Sequence, residues 1–80
     1  MKKDPVAQYE RFCRLLLRFR KKAGVSQEAV AEKLGRRQAY VSKCERGMRR
    51  MNFIEFLEMA HAVGYDPCDF IKEYESSKRI

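Results

Sequence analysis

The sequence predicts a compact all-α fold of five helices, and three patterns carry that prediction. Apolar residues recur three and four apart in each stretch between turn signals, and no stretch reads as a strand. Asp-Pro occurs twice, at Asp4-Pro5 and Asp66-Pro67, each time a capping residue followed by a proline suited to the first helical position. Gly24, Gly35 and Gly64 each follow an apolar-periodic stretch and mark where a helix stops, Gly35 by tolerating the positive φ of a C-terminal turn.

The first helix opens at Asp4-Pro5 and ends before Gly24. Its core edge is Phe12, Leu16, Phe19 and Ala23, while Val6, Cys13 and Leu17 fall away on a weaker apolar strip read as incidental surface. Ser26 caps the second helix by accepting a hydrogen bond from an orphaned backbone N–H, and Glu28 suits the positive end of the helix dipole. Val30, Ala31 and Leu34 form its short apolar stripe, which Gly35 ends. The third helix, roughly Gln38 to Glu45, has Val41 and Cys44 as its buried side, and Ala31 is small enough for the two helices to cross closely. Asn52-Phe53-Ile54-Glu55 reads as a capping box with Asn in place of Ser, after which Phe56, Met59, Ala60 and Val63 continue a fourth helix to Gly64. Asp66-Pro67 opens the fifth, which carries Phe70, Ile71 and Tyr74 before residues 75–80 fray.

Opposite Val41 and Cys44 lie Gln38, Ala39, Ser42 and Lys43. Gln can bond an adenine edge with two hydrogen bonds, Ala or Tyr can touch a thymine methyl, and Lys can reach guanine acceptors or a phosphate. The charge distribution agrees with such a surface. The formal charge is +7, but residues 1–50 hold 15 Lys or Arg against 5 acids, and residues 51–80 hold 3 against 6. A chain so polarised can lay one face on phosphates and keep the other for itself or a protein partner. Lys2-Lys3 and Lys21-Lys22 read equally well as a solvated face.

Other classes are poorly supported. One histidine, no nucleophile–base motif and no glycine-rich phosphate loop argue against an enzyme. Cys13, Cys44 and Cys68 are odd in number, far apart and not preceded by an apolar signal segment, which favours the cytoplasm over a secreted disulfide framework. No Cys-x-x-Cys or His-x-x-x-His spacing supports a metal, and no cofactor is expected. Cys44 reads as a small core residue and His61 as a partly packed one. No stretch approaches the ~20 apolar residues of a membrane helix. The expected organisation is one domain over residues 1–80, with a helix-turn-helix unit at about 26–46 and a dimerisation part at about 52–76.

The run Gly24-Val25-Ser26-Gln27-Glu28, then Ala31, Leu34-Gly35, Gln38-Ala39-Tyr40-Val41-Ser42-Lys43 and Glu45-Arg46-Gly47 resembles the lambda-repressor-like, XRE-type helix-turn-helix family, which includes phage repressors and Cro proteins. The resemblance runs from about Phe12 to Tyr74. Arg20 and Glu45 stand where many members carry a buried Arg–Glu pair tying the first helix to the recognition helix. Two residues depart from the pattern: Arg36 replaces a common apolar residue, and Arg37 replaces the usual Ser or Thr cap. Arg36 is expected to point outwards and Arg37 to trade capping for a phosphate or base contact.

The resemblance implies a sequence-specific DNA-binding transcriptional regulator. Gln38, Ala39, Ser42 and Lys43 would face the bases, and Gln27, Arg37, Tyr40, Arg46 and Arg49, with Arg50 as an alternative to Arg49, would face phosphates. It further implies a homodimeric repressor on a palindromic operator with half-sites ~34 Å apart. Phe53, Leu57, Phe70, Ile71 and Tyr74, more large apolar groups than a small core readily absorbs, are the expected dimer surface. The alternative is an antitoxin or restriction-modification controller subunit that acts through a protein partner as well as DNA.

Overall fold

The computed structural model describes residues 4–77, which form five helices and no strand. These are α1 (Pro5–Ala23), α2 (Gln27–Leu34), α3 (Gln38–Glu45), α4 (Phe53–Val63) and α5 (Pro67–Ser77). Residues expected to fray as far as 77 are helical, whereas Lys2, Lys3 and 78–80 lie outside the described residues.

Local chemistry sets the boundaries. The Asp4 carboxylate accepts from the backbone N–H groups of Val6 and Ala7 at 3.0 and 3.3 Å, which starts α1. Ser26 accepts from the Ala29 N–H at 3.0 Å to start α2. Asn52 and Glu55 form the reciprocal box, each side chain accepting from the other's backbone N–H at 2.8 and 3.1 Å. Arg37 gives α3 no side-chain cap. The turn between α2 and α3 closes with Gly35 N–H on the Glu32 carbonyl and Arg36 N–H on that of Ala31, at 3.1 and 2.9 Å. This pairing needs a left-handed residue, and Gly35 has φ 68°.

The core draws on all five helices: Leu15 and Leu16 from α1, Val30 and Ala31 from α2, Val41 and Cys44 from α3, Phe56, Met59, Ala62 and Val63 from α4, and Phe70 from α5. Ala31 is buried between α2 and the helices it meets, so a larger side chain there would push α3 outwards. Phe70 sits among Phe12, Phe19, Phe56 and Tyr65, with ring centroids 4.7 to 5.9 Å apart. The tilted and edge-on pairs among these suit the aromatic quadrupole.

Four expectations need correction. Phe70 is 2% exposed and belongs to the core, because one short aromatic cluster absorbs it. Cys13 is buried with Leu15, since α1 packs against α3 on one side and α4 and α5 on another, which widens its buried face beyond one stripe. Ala23, the last residue of α1, is exposed because it borders an open groove shared with Tyr65 and α5 instead of packing in the core. His61 is exposed on the outer side of α4.

Candidate nucleic-acid interface

Helices α2 and α3 and the turn between them form a helix-turn-helix. Val41 and Cys44 anchor α3 in the core at 0% exposure, so its opposite side must face out. Gln38, Ala39 and Lys43 are exposed there, and Ser42 is half-buried. Arg37 and Arg46, at the two ends of the helix, are exposed as well, with the Arg46 Nε 3.4 Å from the Ser42 carbonyl.

Beneath this face runs a chain of polar contacts. Arg20 of α1 donates from Nε to Glu45 Oε2 at 2.6 Å and from its second terminal nitrogen to Oε1 at 3.1 Å, with both side chains buried. Its remaining terminal nitrogen donates to the Val25 carbonyl at 2.9 Å. Gln27 donates to Glu45 Oε1 at 2.8 Å, and Gln38 donates to the Gln27 side-chain oxygen at 2.9 Å. The ion pair inside the protein is thus connected to the exposed first residue of the recognition helix. The family resemblance implied the Arg20–Glu45 pair but no link through Gln27, and a spacing of 18 residues carries no local signal that could have supplied it.

A second cluster flanks α3. Arg36 and Arg49 lie against the Tyr40 ring, 4.1 and 4.8 Å from its centroid, so Tyr40 is half-buried rather than free at the surface. Both arginines share Glu55: Arg49 is bidentate at 3.2 and 3.0 Å, and Arg36 approaches to 3.7 Å. Arg36 does point outwards, but over Tyr40. Burial pushes the Tyr40 phenol up to about 12, so it stays protonated and able to donate. The Arg49 hydrogen bonds, and then the Asn52 N–H, hold the Glu55 carboxyl below the usual carboxylate range. Glu55 was legible only as part of a capping box; its hold on two arginines depends on how the α3–α4 loop folds back.

Tyr9 fixes that loop. Its hydroxyl accepts from the Met51 N–H at 2.9 Å and donates to the Arg49 carbonyl at 3.2 Å, while Arg50 stacks on its ring at 4.6 Å. Nothing in the sequence singled out Tyr9, which satisfies loop backbone groups about 40 residues away.

The expected dimer residues divide. Phe53 and Ile71 are exposed at 63% and 46%. Leu57 is half-buried against the core. Tyr74 is half-buried too, with Arg11 over its ring at 4.4 Å and its hydroxyl donating to the Gln8 carbonyl at 3.3 Å. Ile54, absent from the expected set, is 62% exposed beside Phe53. Phe53 and Ile71 border an apolar groove of about 510 Å³ floored by Phe12, Phe56 and Phe70. Among the described residues, no helix is long and apolar enough to cross a membrane.

Residues 11–70 match a family model described as a helix-turn-helix domain. Three solved structures are similar. An XRE-family like protein from Pseudomonas syringae pv. tomato is 38% identical with a TM-score of 0.82, over 89% of this chain and 87% of that one. The restriction-modification controller protein C.AhdI from Aeromonas hydrophila is 31% identical with a TM-score of 0.71, over 80% of this chain and 97% of that one. The clp gene regulator ClgR from C. glutamicum is 27% identical with a TM-score of 0.78, over 88% and 91%. No curated protein sequence gives a significant match. The buried Arg20–Glu45 tie, the glycine turn and the outward polar face of α3 agree with these likenesses: the chain belongs to the lambda-repressor-like, XRE-type helix-turn-helix family of DNA-binding transcriptional regulators.

Proposed function

We propose that the chain is a homodimeric repressor that reads a palindromic operator through α3. The observation that carries this reading is the exposed row Gln38, Ala39 and Lys43 with Ser42 beside it, on a helix whose other side is locked in the core. Gln38 would read a base edge with its amide, Ala39 a thymine methyl, and Ser42 and Lys43 neighbouring edges. Arg37 and Arg46 flank the row and would hold phosphates, which sets the register without reading sequence. Gln27 and the first backbone amides of α2 would hold another. Tyr40 and Arg49 would add their hydroxyl and guanidinium to the backbone contacts. Arg49, already bidentate on Glu55, would offer only its outer edge.

A single module touches few base pairs, so useful specificity calls for two copies about one helical turn apart. Phe53 and Ile71 beside the apolar groove supply a surface that a second copy could cover. Leu57 and Tyr74 would contribute at its edges, and the acidic C-terminal half keeps that surface away from phosphates. Selection from random duplexes tests the reading directly. An operator with two inverted half-sites is expected, with sedimentation showing a dimer at micromolar protein; unrelated selected sequences, or one unpaired half-site bound by a monomer, would refute it.

A second reading is a restriction-modification controller subunit. Its support is the likeness to C.AhdI, of which this chain covers almost the whole length. Recovery of a different protein in stable stoichiometric complex with this chain would favour a role, as controller or antitoxin, that works through a partner.

A further inference from the structure

We infer that Glu45 is a specificity-determining positioning residue that never touches DNA: its charge fixes, through Gln27, which end of the Gln38 amide faces the bases. The inference rests on the proposed role of Gln38 as a base contact. A guanidinium can only donate, and an ionised carboxylate can only accept. With Arg20 donating to both carboxylate oxygens, Glu45 offers Gln27 acceptors alone, so Gln27 must present its Nε2, at 2.8 Å. The Gln27 oxygen is thereby turned towards α3. It too can only accept, so Gln38 must present its own Nε2, at 2.9 Å.

Neither amide has a free choice of orientation. Gln38 is left with one N–H and its carbonyl oxygen for the groove. Adenine shows there an acceptor, N7, beside a donor, the N6 amine, which match that N–H and that oxygen. Guanine shows two acceptors, N7 and O6, and would set O6 against the Gln38 oxygen. The buried ion pair therefore selects adenine over guanine through two relayed hydrogen bonds, Gln27 to Glu45 and Gln38 to Gln27.

Glu45→Gln reverses the chain. The Arg20 Nε contact, at 2.6 Å, is the shortest in the network and must meet an oxygen, so the substituted amide would put its oxygen there, give up the longer 3.1 Å contact from the second Arg20 terminal nitrogen, and turn its NH2 towards Gln27. Gln27 then turns its oxygen inwards and its NH2 outwards, and Gln38 accepts from it. Both Gln38 N–H groups are released to the groove, where they fit the two guanine acceptors.

The test is competition binding of the intact protein to variants of its selected operator carrying each base at the position where Gln38→Ala relaxes discrimination. The wild type should prefer adenine to guanine by about tenfold, within the range of one bidentate base contact. Glu45→Gln should invert that preference. Gln27→Ala, which leaves the Arg20–Glu45 pair intact and so guards against a folding defect, should bring adenine and guanine within about twofold. A merely structural Glu45 would lower affinity for all four duplexes alike. The relay is overturned if Gln38→Ala flattens the position while Gln27→Ala and a folded Glu45→Gln keep the adenine preference. If Gln38→Ala alters no position, the base contact itself fails and the relay falls with it.

Discussion

Removing the Glu45 carboxylate should destabilise the fold more than any other single polar substitution in the chain. Arg20 makes three hydrogen bonds, two to Glu45 and one to the Val25 carbonyl, and the two side chains are 10% and 4% exposed. Glu45→Ala leaves a guanidinium with one acceptor in a space water enters poorly, and strips Gln27 of its acceptor as well. Breaking a buried pair in this way costs ~3 to 5 kcal/mol. For a chain of 80 residues the whole stability is ~4 to 12 kcal/mol, so the loss is a large share of it. With ~4 to 8 °C of melting temperature per kcal/mol at this size, the midpoint should fall by at least ~12 °C. Urea denaturation followed by circular dichroism supplies the free energy. The companion variant removes both charges, Arg20→Met with Glu45→Leu, and should recover most of the loss because no uncompensated charge remains. The reasoning is refuted if Glu45→Ala costs less than ~1 kcal/mol, the size of an exposed pair, or if the double variant is no better than the single one.

The lowered Glu55 pKa makes the folded state bind fewer protons than the unfolded chain, so its stabilisation is present above the ordinary glutamate value of ~4.3 and is lost as pH falls through the folded value; Glu55→Gln, which can keep the capping bond, should flatten the acid limb of a stability–pH curve, and an unchanged limb would count against the pairing. Burial raises the Cys13 and Cys44 thiols, whereas Cys68 is exposed, so a thiol reagent at neutral pH should modify Cys68 promptly and the other two only on unfolding; prompt modification of all three would contradict the packing of α1 on α3. Arg37→Ser would give α3 the missing side-chain cap, raising stability by ~0.5 to 2 kcal/mol, yet remove a proposed phosphate contact and reduce the salt slope of binding by ~0.9 per subunit. Denaturation and salt titration of the same variant should move in opposite directions; a variant neither more stable nor less salt-sensitive would refute both halves.

Features that depend on neighbours in sequence were legible. Caps at Asp4, Ser26 and Asn52 act within three residues, and the glycine turn after α2 acts within five, so the helices and their order followed from local pattern. What failed to show was set by distance. Phe70 looked like surplus apolar surface because the rings that enclose it come from α1 and α4 and from the loop at Tyr65. Cys13 looked like incidental surface because a single helical stripe underestimates a helix packed on two sides. Glu55, Tyr9 and the Gln27 link join residues 6, 40 and 18 positions apart, and only the fold brings them into register. The four residues expected to face bases come from one turn and a half of a single helix, which is why periodicity could place them on one side of α3.

Helix α3 itself shows why those distant contacts exist. Its eight residues fall below the ~12 to 15 at which an isolated helix becomes even marginally stable. It has no side-chain cap, and Tyr40, Val41, Ser42 and Cys44 are all weak helix formers, so intrinsic propensity cannot hold it. Val41 and Cys44 fix its depth and which side faces out, but two small apolar side chains leave some freedom in its exact rotation. Two carboxylates remove that freedom from different sides: Glu45 ties the C-terminal end of α3 to α1 through Arg20, and Glu55 ties Tyr40 to α4 through Arg36 and Arg49. A roll of α3 would strain both clusters together with the hydrogen bond from Gln38 to Gln27. A buried charge pair that apolar side chains could replace at little net cost therefore acts on orientation, which is the property a base-reading helix needs most.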